Sequence, residues 1–162
     1  MHPHSTAPPP PPASPPYRLA LFARWPDMDA QQHMRNAAYL GAAEDCRLRY
    51  LAEHGFSAEA LRARQLGPVV LEDHLVYKRE IALHEAFTVD LSVAAMTEDA
   101  RRMKLRNTFC RDRDGALCAV VESVVVWLDL AQRKPAAPPA DLREVWLGLA
   151  RTVDFAWYPS PR

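Results

Sequence analysis

The sequence predicts an α+β domain in which one long helix is held by a curved antiparallel sheet of about five strands. Three observations carry that reading. A single extended helical pattern runs from Asn36 to about His54. Segments with a period of two follow it, as half-buried strands require. Asp114-Gly115 stands between two of these segments and is a strong two-residue hairpin signal. At 162 residues the chain has the length of one domain with a real core.

The elements follow in order. Half of the first sixteen residues are proline, including Pro8 to Pro12, so residues 1–16 read as an extended, disordered tail that cannot build a core. A docking role for this tail is compatible with any function of the rest. The folded domain is expected over 17–150, with 151–162 as a C-terminal tail. Tyr17 to Trp25 is apolar and strand-like. Asn36 suits a helix N-cap and Gly55 a helix stop. Tyr39, Leu40, Ala43, Cys46, Leu48, Tyr50 and Leu51 cover more than half the helix circumference, leaving a polar strip of Asp45, Arg49 and Glu53. Such a helix is expected to be enclosed on most sides. A short amphipathic turn capped by Ser57 follows.

Val69 to Ile81 reads as a strand. Phe87, Val89, Leu91, Val93 and Ala95 alternate with smaller or polar residues, and after a Glu98-Asp99 turn Met103, Leu105, Asn107 and Phe109 do the same. Leu117 to Leu130 is rich in valine, as a strand buried on both faces would be. A last helix is expected around Leu142 to Ala150, with Asp141 as its cap. A curled sheet of this kind leaves an edge that must be covered or paired, so a homodimer, or a dimer of dimers, is the expected remedy.

Composition narrows the function classes. Acidic and basic residues balance at 20 each, which gives no electrostatic claim on nucleic acid or an anionic membrane. No apolar run reaches the ~18 residues of a membrane span, and the N-terminus lacks the pattern of a secretory signal. Cys46, Cys110 and Cys118 form an odd count without metal-type spacing, fitting unpaired thiols in a reducing, cytoplasmic compartment. No metal or cofactor is expected.

The most informative stretch is Arg24 to Asn36, which sets Asp27, Asp29 and His33 just ahead of the long helix. Asp27-Met28-Asp29-Ala30-Gln31-Gln32-His33-Met34-Arg35-Asn36, then Tyr39 and Glu44-Asp45-Cys46-Arg47, resembles the hotdog-fold thioesterases, in particular the 4-hydroxybenzoyl-CoA thioesterase-like branch. That family's wording is D-x-D-x-x-G-H-V-x-N-x-x-Y, then E-x-x-R. Val76-Tyr77-Lys78-Arg79, the Asp114-Gly115 hairpin and Trp127-Leu128-Asp129 also match its landmarks, so the resemblance spans about Tyr17 to Leu142. There are departures. Gln32 stands in place of glycine, Glu80 in place of a common proline, and His84-Glu85-Ala86 in place of a common Gly-Asp pair. The Gln31-Gln32-His33 stretch is also similar to the acyl-ACP thioesterase pattern, with Gln31 in place of asparagine.

The resemblance implies hydrolysis of an acyl-CoA thioester. Asp29 is then the catalytic carboxylate, as general base or nucleophile, with His33 orienting it or bracing the loop, and Asp27 bracing the turn after Pro26. Free N–H groups at the helix start, from Arg35 through Asn36 and Ala37 to Ala38, are expected to hold the oxyanion beside Tyr39. Glu44 falls inside the apolar arc with Arg47 three residues on. Buried charges must be paired or functional, so Glu44 is either half of an ion pair or a second catalytic candidate, since another hotdog branch takes its glutamate from this helix. Lys78 and Arg79, and the row Arg101, Arg102, Lys104 and Arg106, are candidates for coenzyme A phosphates or for a solvated face. Two rival classes are a hotdog hydratase or dehydratase and a non-catalytic acyl-CoA-binding module. The former wants an Asp five residues before a His, and here the spacings are four (Asp29) and six (Asp27).

Overall fold

The computed structural model describes residues 14–159. Most of the Pro-rich segment therefore lies outside the described residues, and residues 14–16 precede the first strand without regular structure. The strands are β1 (Tyr17–Phe22), β2 (Leu66–Tyr77), β3 (Ala86–Met96), β4 (Arg102–Arg111), β5 (Leu117–Asp129), β6 (Lys134–Pro135) and β7 (Arg151–Trp157). The helices are α1 (Asn36–Glu53), α2 (Ala58–Ala63) and α3 (Ala140–Leu147). One sheet contains every strand, in the order β1-β3-β4-β5-β2, with β6 on β5 and β7 on β3. The five-stranded path is the expected curled sheet, and α1 lies across its concave face. None of these helices is long and apolar enough to cross a membrane.

Alternation explains the core. Phe87, Val89, Leu91 and Val93 on β3 and Met103, Leu105 and Phe109 on β4 are all fully buried or nearly so. On β5 both faces are largely enclosed between Cys118 and Trp127. Phe87, Phe109 and Trp127 are core residues. Tyr39 is equally buried, and burial pushes its hydroxyl pKa upward. Its ring meets Phe109 edge-on at 5.2 Å and Tyr77 at 5.7 Å, and Phe109 stacks on Phe87 at 6.1 Å. An aromatic file therefore runs from the surface at Tyr77 into the core, in the offset and edge geometries aromatic rings favour.

Several expectations need correction. The cap of α1 is Arg35, not Asn36, whose Oδ1 instead accepts the N–H of Ala37 at 2.8 Å. The strand expected over 69–81 is β2, displaced to Leu66–Tyr77. Helix α3 starts at Ala140 behind Pro139, and Asp141 pairs with Arg64 at 2.7 Å. The C-terminal segment is not simply a tail, because β7 runs parallel to β3 from Val93↔Arg151 to Met96↔Trp157, beside the part of β3 that β1 leaves unpaired.

Helix α1 is enclosed on one side rather than on most. Its buried residues are Tyr39, Ala43, Cys46, Arg47, Tyr50 and Leu51, whereas Leu48 is 41% exposed. Glu44 lies on that exposed side. The expected Glu44–Arg47 ion pair does not form. Arg47, only 7% exposed, donates to Asn107 Oδ1 at 3.0 Å and to Ser123 Oγ at 2.5 Å, and Ser123 in turn donates to Asp73 on β2. Burial lowers the Arg47 guanidinium pKa from its ordinary value, while the Asp73 charge opposes that shift. The hydrogen bonds are what make a charge tolerable at this depth.

Candidate active site

The loop between β1 and α1 is built by short local hydrogen bonds. Residues Trp25–Asp27 form a 3-10 turn with Pro26 in its first positions. Asp27 braces it, as expected: Oδ2 accepts from the Arg24 backbone at 2.9 Å and from Arg24 Nε at 3.2 Å, while the Asp27 carbonyl accepts Arg35 N–H at 2.9 Å. The loop then doubles back, pairing Met28 with Met34 and His33 with Ala82.

Asp29 occupies the tip of that loop, and its two carboxylate oxygens are treated differently. Oδ1 accepts the backbone N–H groups of Gln31 at 2.8 Å and His33 at 3.0 Å. Oδ2 accepts no hydrogen bond among the described residues, so one oxygen fixes the group and the other remains open. The turn needs Gln32 at φ +62°, the left-handed conformation that glycine adopts most easily. Gln32, where the family has glycine, therefore keeps the glycine-like conformation. His84, in the other departure from the family's glycine, is likewise at φ +63°. Replacement of Gln32 by β-branched Val is expected to cost about 1–2 kcal/mol, because the Cβ clash of the left-handed region is worst for such residues. Urea denaturation of Gln32→Val and Gln32→Gly side by side checks this, with the glycine variant at least as stable as the parent.

The start of α1 is only partly open. Of the donors expected to be free, Arg35 N–H goes to Asp27, Ala37 N–H to its neighbour Asn36 Oδ1, and Ala38 N–H to the Arg35 carbonyl at 3.0 Å. Asn36 N–H alone among these has no partner in the described residues. It sits at the positive end of an 18-residue helix with no side-chain cap, which is where an anion is best received.

Asp29, His33, Arg35, Asn36, Tyr39, Lys78 and Arg79 line one cleft of about 520 Å3. Seven of the residues singled out in the sequence thus converge. Three more that were not singled out as site residues also line the cleft: Met34, Tyr77 and Glu80. Tyr77 belongs to the quoted Val76-Tyr77-Lys78-Arg79 landmark, but its 54% exposure and its place on the cleft wall depend on the β2–β5 register. Glu80 is held below the usual carboxylate range, first by its own backbone N–H and further by His33 and Arg111. Arg111 also donates to the Glu80 carbonyl at 3.1 Å, tying the β4–β5 hairpin to this wall. The backbones of Lys78 and Arg79 both bond to the Cys118 carbonyl, at 2.8 and 3.0 Å, which leaves their side chains exposed at the mouth.

The remaining candidates lie elsewhere. Glu44 does not line this cleft. Arg101, Arg102 and Lys104 sit at the opposite end of β4 within one chain, and Arg106 is occupied by Glu122 at 2.6 Å and Asp154 at 2.8 Å. None of the three cysteines lines the cleft, and burial raises the pKa of each thiol, that of Cys46 to about 12, which disfavours the reactive thiolate. Among the described residues no cluster of His, Cys, Asp or Glu is arranged to hold a metal ion.

The sequence profile of the thioesterase-like superfamily matches residues 23–146. Solved structures resemble this one at low sequence identity. A hypothetical protein of Staphylococcus aureus, solved in complex with CoA, superposes with a TM-score of 0.74 at 21% identity, covering 90% of this chain and 90% of its own. A 1,4-dihydroxy-2-naphthoyl-CoA thioesterase from Synechocystis gives 0.74 at 13% identity, over 82% of this chain and 96% of its own. A DHNA-CoA thioesterase from Staphylococcus aureus gives 0.72 at 19% identity, over 80% and 87%. No curated protein matches the sequence.

Proposed function

From a chain that belongs to the thioesterase-like superfamily and carries the hotdog fold, we propose an acyl-CoA thioesterase whose working carboxylate is Asp29. The observation that carries this reading is the juxtaposition of the open Asp29 Oδ2 with the unpartnered Asn36 N–H in one cleft. The two groups supply what thioester hydrolysis needs. Oδ2 takes the proton of an attacking water, or itself attacks the carbonyl carbon. As the carbonyl oxygen gains charge, Asn36 N–H and the α1 dipole hold it, an arrangement in which one donor is typically worth about 3 kcal/mol. The carbon–sulfur bond then breaks and coenzyme A leaves as the thiolate; where Asp29 itself attacks, water then hydrolyses the acyl-aspartyl anhydride to free acid and restores the carboxylate. His33 contributes through its backbone, holding Asp29 in position.

Lys78 and Arg79, at the mouth, are the groups proposed to meet the phosphates of coenzyme A. Neither forms an ion pair among the described residues. The second copy of a homodimer is assigned to β2, a sheet edge of 12 residues whose Val70, Leu71 and Tyr77 are exposed, together with the exposed flank of α1 at Leu48. Pairing that edge removes an aggregation-prone surface. The proposed compartment is the cytoplasm, in keeping with three unpaired cysteines.

The test is free-thiol release from a panel of short, medium, long and aromatic acyl-CoAs. Wild type is expected to turn over at least one of them. The double variant Lys78→Gln, Arg79→Gln is expected to raise KM roughly tenfold or more, from two lost charge-assisted contacts, with kcat little changed. A fall in kcat at unchanged KM would remove the phosphate assignment. Turnover of no acyl-CoA by wild type would remove the proposed activity.

A further inference from the structure

A second pocket stands at the other pole of the sheet. It has a volume of about 310 Å3 and is walled by Val126, Pro135, Tyr158 and Pro159, with Arg101 and Arg102 at its edge. Lys78 and Arg79 bond to Cys118 at one end of β5, and Val126 lies eight residues further along that strand. At about 3.3 Å per residue the two sites are about 26 Å apart along the chain. Tyr158 and Pro159 lie beyond the residues matched by the family, so one wall of this pocket is supplied by the C-terminal segment that β7 carries back to the sheet.

We propose that this pocket binds a small carboxylic acid with an apolar or aromatic body. The charge comes from Arg102. It forms no ion pair among the described residues, and its guanidinium lies 5.3 Å from the centre of the Tyr158 ring, which holds the side chain in place. Tyr158 is fixed in turn by its backbone N–H, which donates to the Met96 carbonyl at 2.9 Å. Arg101 Nε faces Asp99 Oδ2 at 3.4 Å, so of the two lining arginines Arg102 is the one left to meet an anion. Proline, valine and tyrosine surfaces offer an apolar body its contact. The volume is at the small end for ligand sites, which suits an acid of benzoate or hexanoate size and excludes coenzyme A. A free acid is also what thioester hydrolysis releases, but the site stands whether or not that activity does.

The experiment is an amide NMR titration of the full chain with benzoate and with hexanoate, raised to millimolar concentrations. Benzamide and inorganic phosphate are the controls. Saturable shifts at Thr97, Arg102 and Tyr158 are expected with either acid and not with the controls. Arg102→Gln should weaken binding at least tenfold, and Tyr158→Ala should weaken it too, while both variants keep the thiol-release activity of wild type. The proposal is overturned by shifts confined to residues 29–36, by benzamide binding as well as benzoate, by phosphate alone filling the site, or by an unchanged Arg102→Gln titration.

Discussion

Asp29→Asn is expected to lower kcat for acyl-CoA hydrolysis by at least a hundredfold, about 3 kcal/mol of transition-state stabilisation, with little change in Tm. The carboxamide keeps an Oδ1 in place to accept the Gln31 and His33 N–H groups, so the loop retains its shape. What it loses is the open oxygen, replaced by an NH2 that can neither accept a proton nor attack a carbonyl. Steady-state kinetics beside a thermal melt separate this from a folding defect. Glu44→Gln is the paired control and should retain wild-type kcat, since Glu44 stands outside the cleft. Loss of activity in Glu44→Gln with Asp29→Asn fully active would reverse the two roles.

The largest expected effect on stability is that of Phe109→Ala. Phe109 is fully buried between Tyr39 and Phe87. Removing a ring there deletes its transfer free energy and leaves a cavity that a sheet residue with fixed hydrogen bonds collapses around poorly. Such changes cost about 3–5 kcal/mol, which for a domain of this size lowers Tm by about 10 °C or more. Activity should fall as well, because Tyr39 floors the cleft and leans on Phe109. Circular dichroism melts measure the first effect. A Tm within two degrees of wild type would mean that the aromatic file is not packed as described.

Much of this arrangement is legible in the sequence, for reasons specific to each part. Strands β3 and β4 are regular antiparallel neighbours with one core-facing side, so their alternation reports burial directly. Ser57 was recognisable as a cap because its chemistry is local, and its Oγ does accept Ala60 N–H at 3.2 Å. Asp29 is singled out by the resemblance of its loop to the thioesterase motif, and the Met28–Met34 bridge closes that loop ahead of α1. Strand β7 escaped because its pairing is parallel and depends on β3 being left open beyond Leu91, the partner of Tyr17 at the start of β1. Glu44 was misplaced for a related reason: helical angle reports which residues share an arc, not whether anything covers it. The apolar Leu48 on that arc is exposed in a single chain. Likewise, unpaired donors are expected over several residues at the start of α1, but the Asp27 carbonyl, the Asn36 side chain and the Arg35 carbonyl take three of them. That narrowing to Asn36 rests on the folded-back geometry of the loop, which the spacing of its polar residues does not report.

The most direct test of the account is a crystal structure of the Asp29→Asn variant with an uncleaved acyl-CoA bound. The account predicts the thioester carbonyl oxygen within hydrogen-bond distance of Asn36 N–H, the reacting carbon against residue 29, and the phosphates towards Lys78 and Arg79. A thioester lying away from the start of α1, with its carbonyl on other donors, would contradict it.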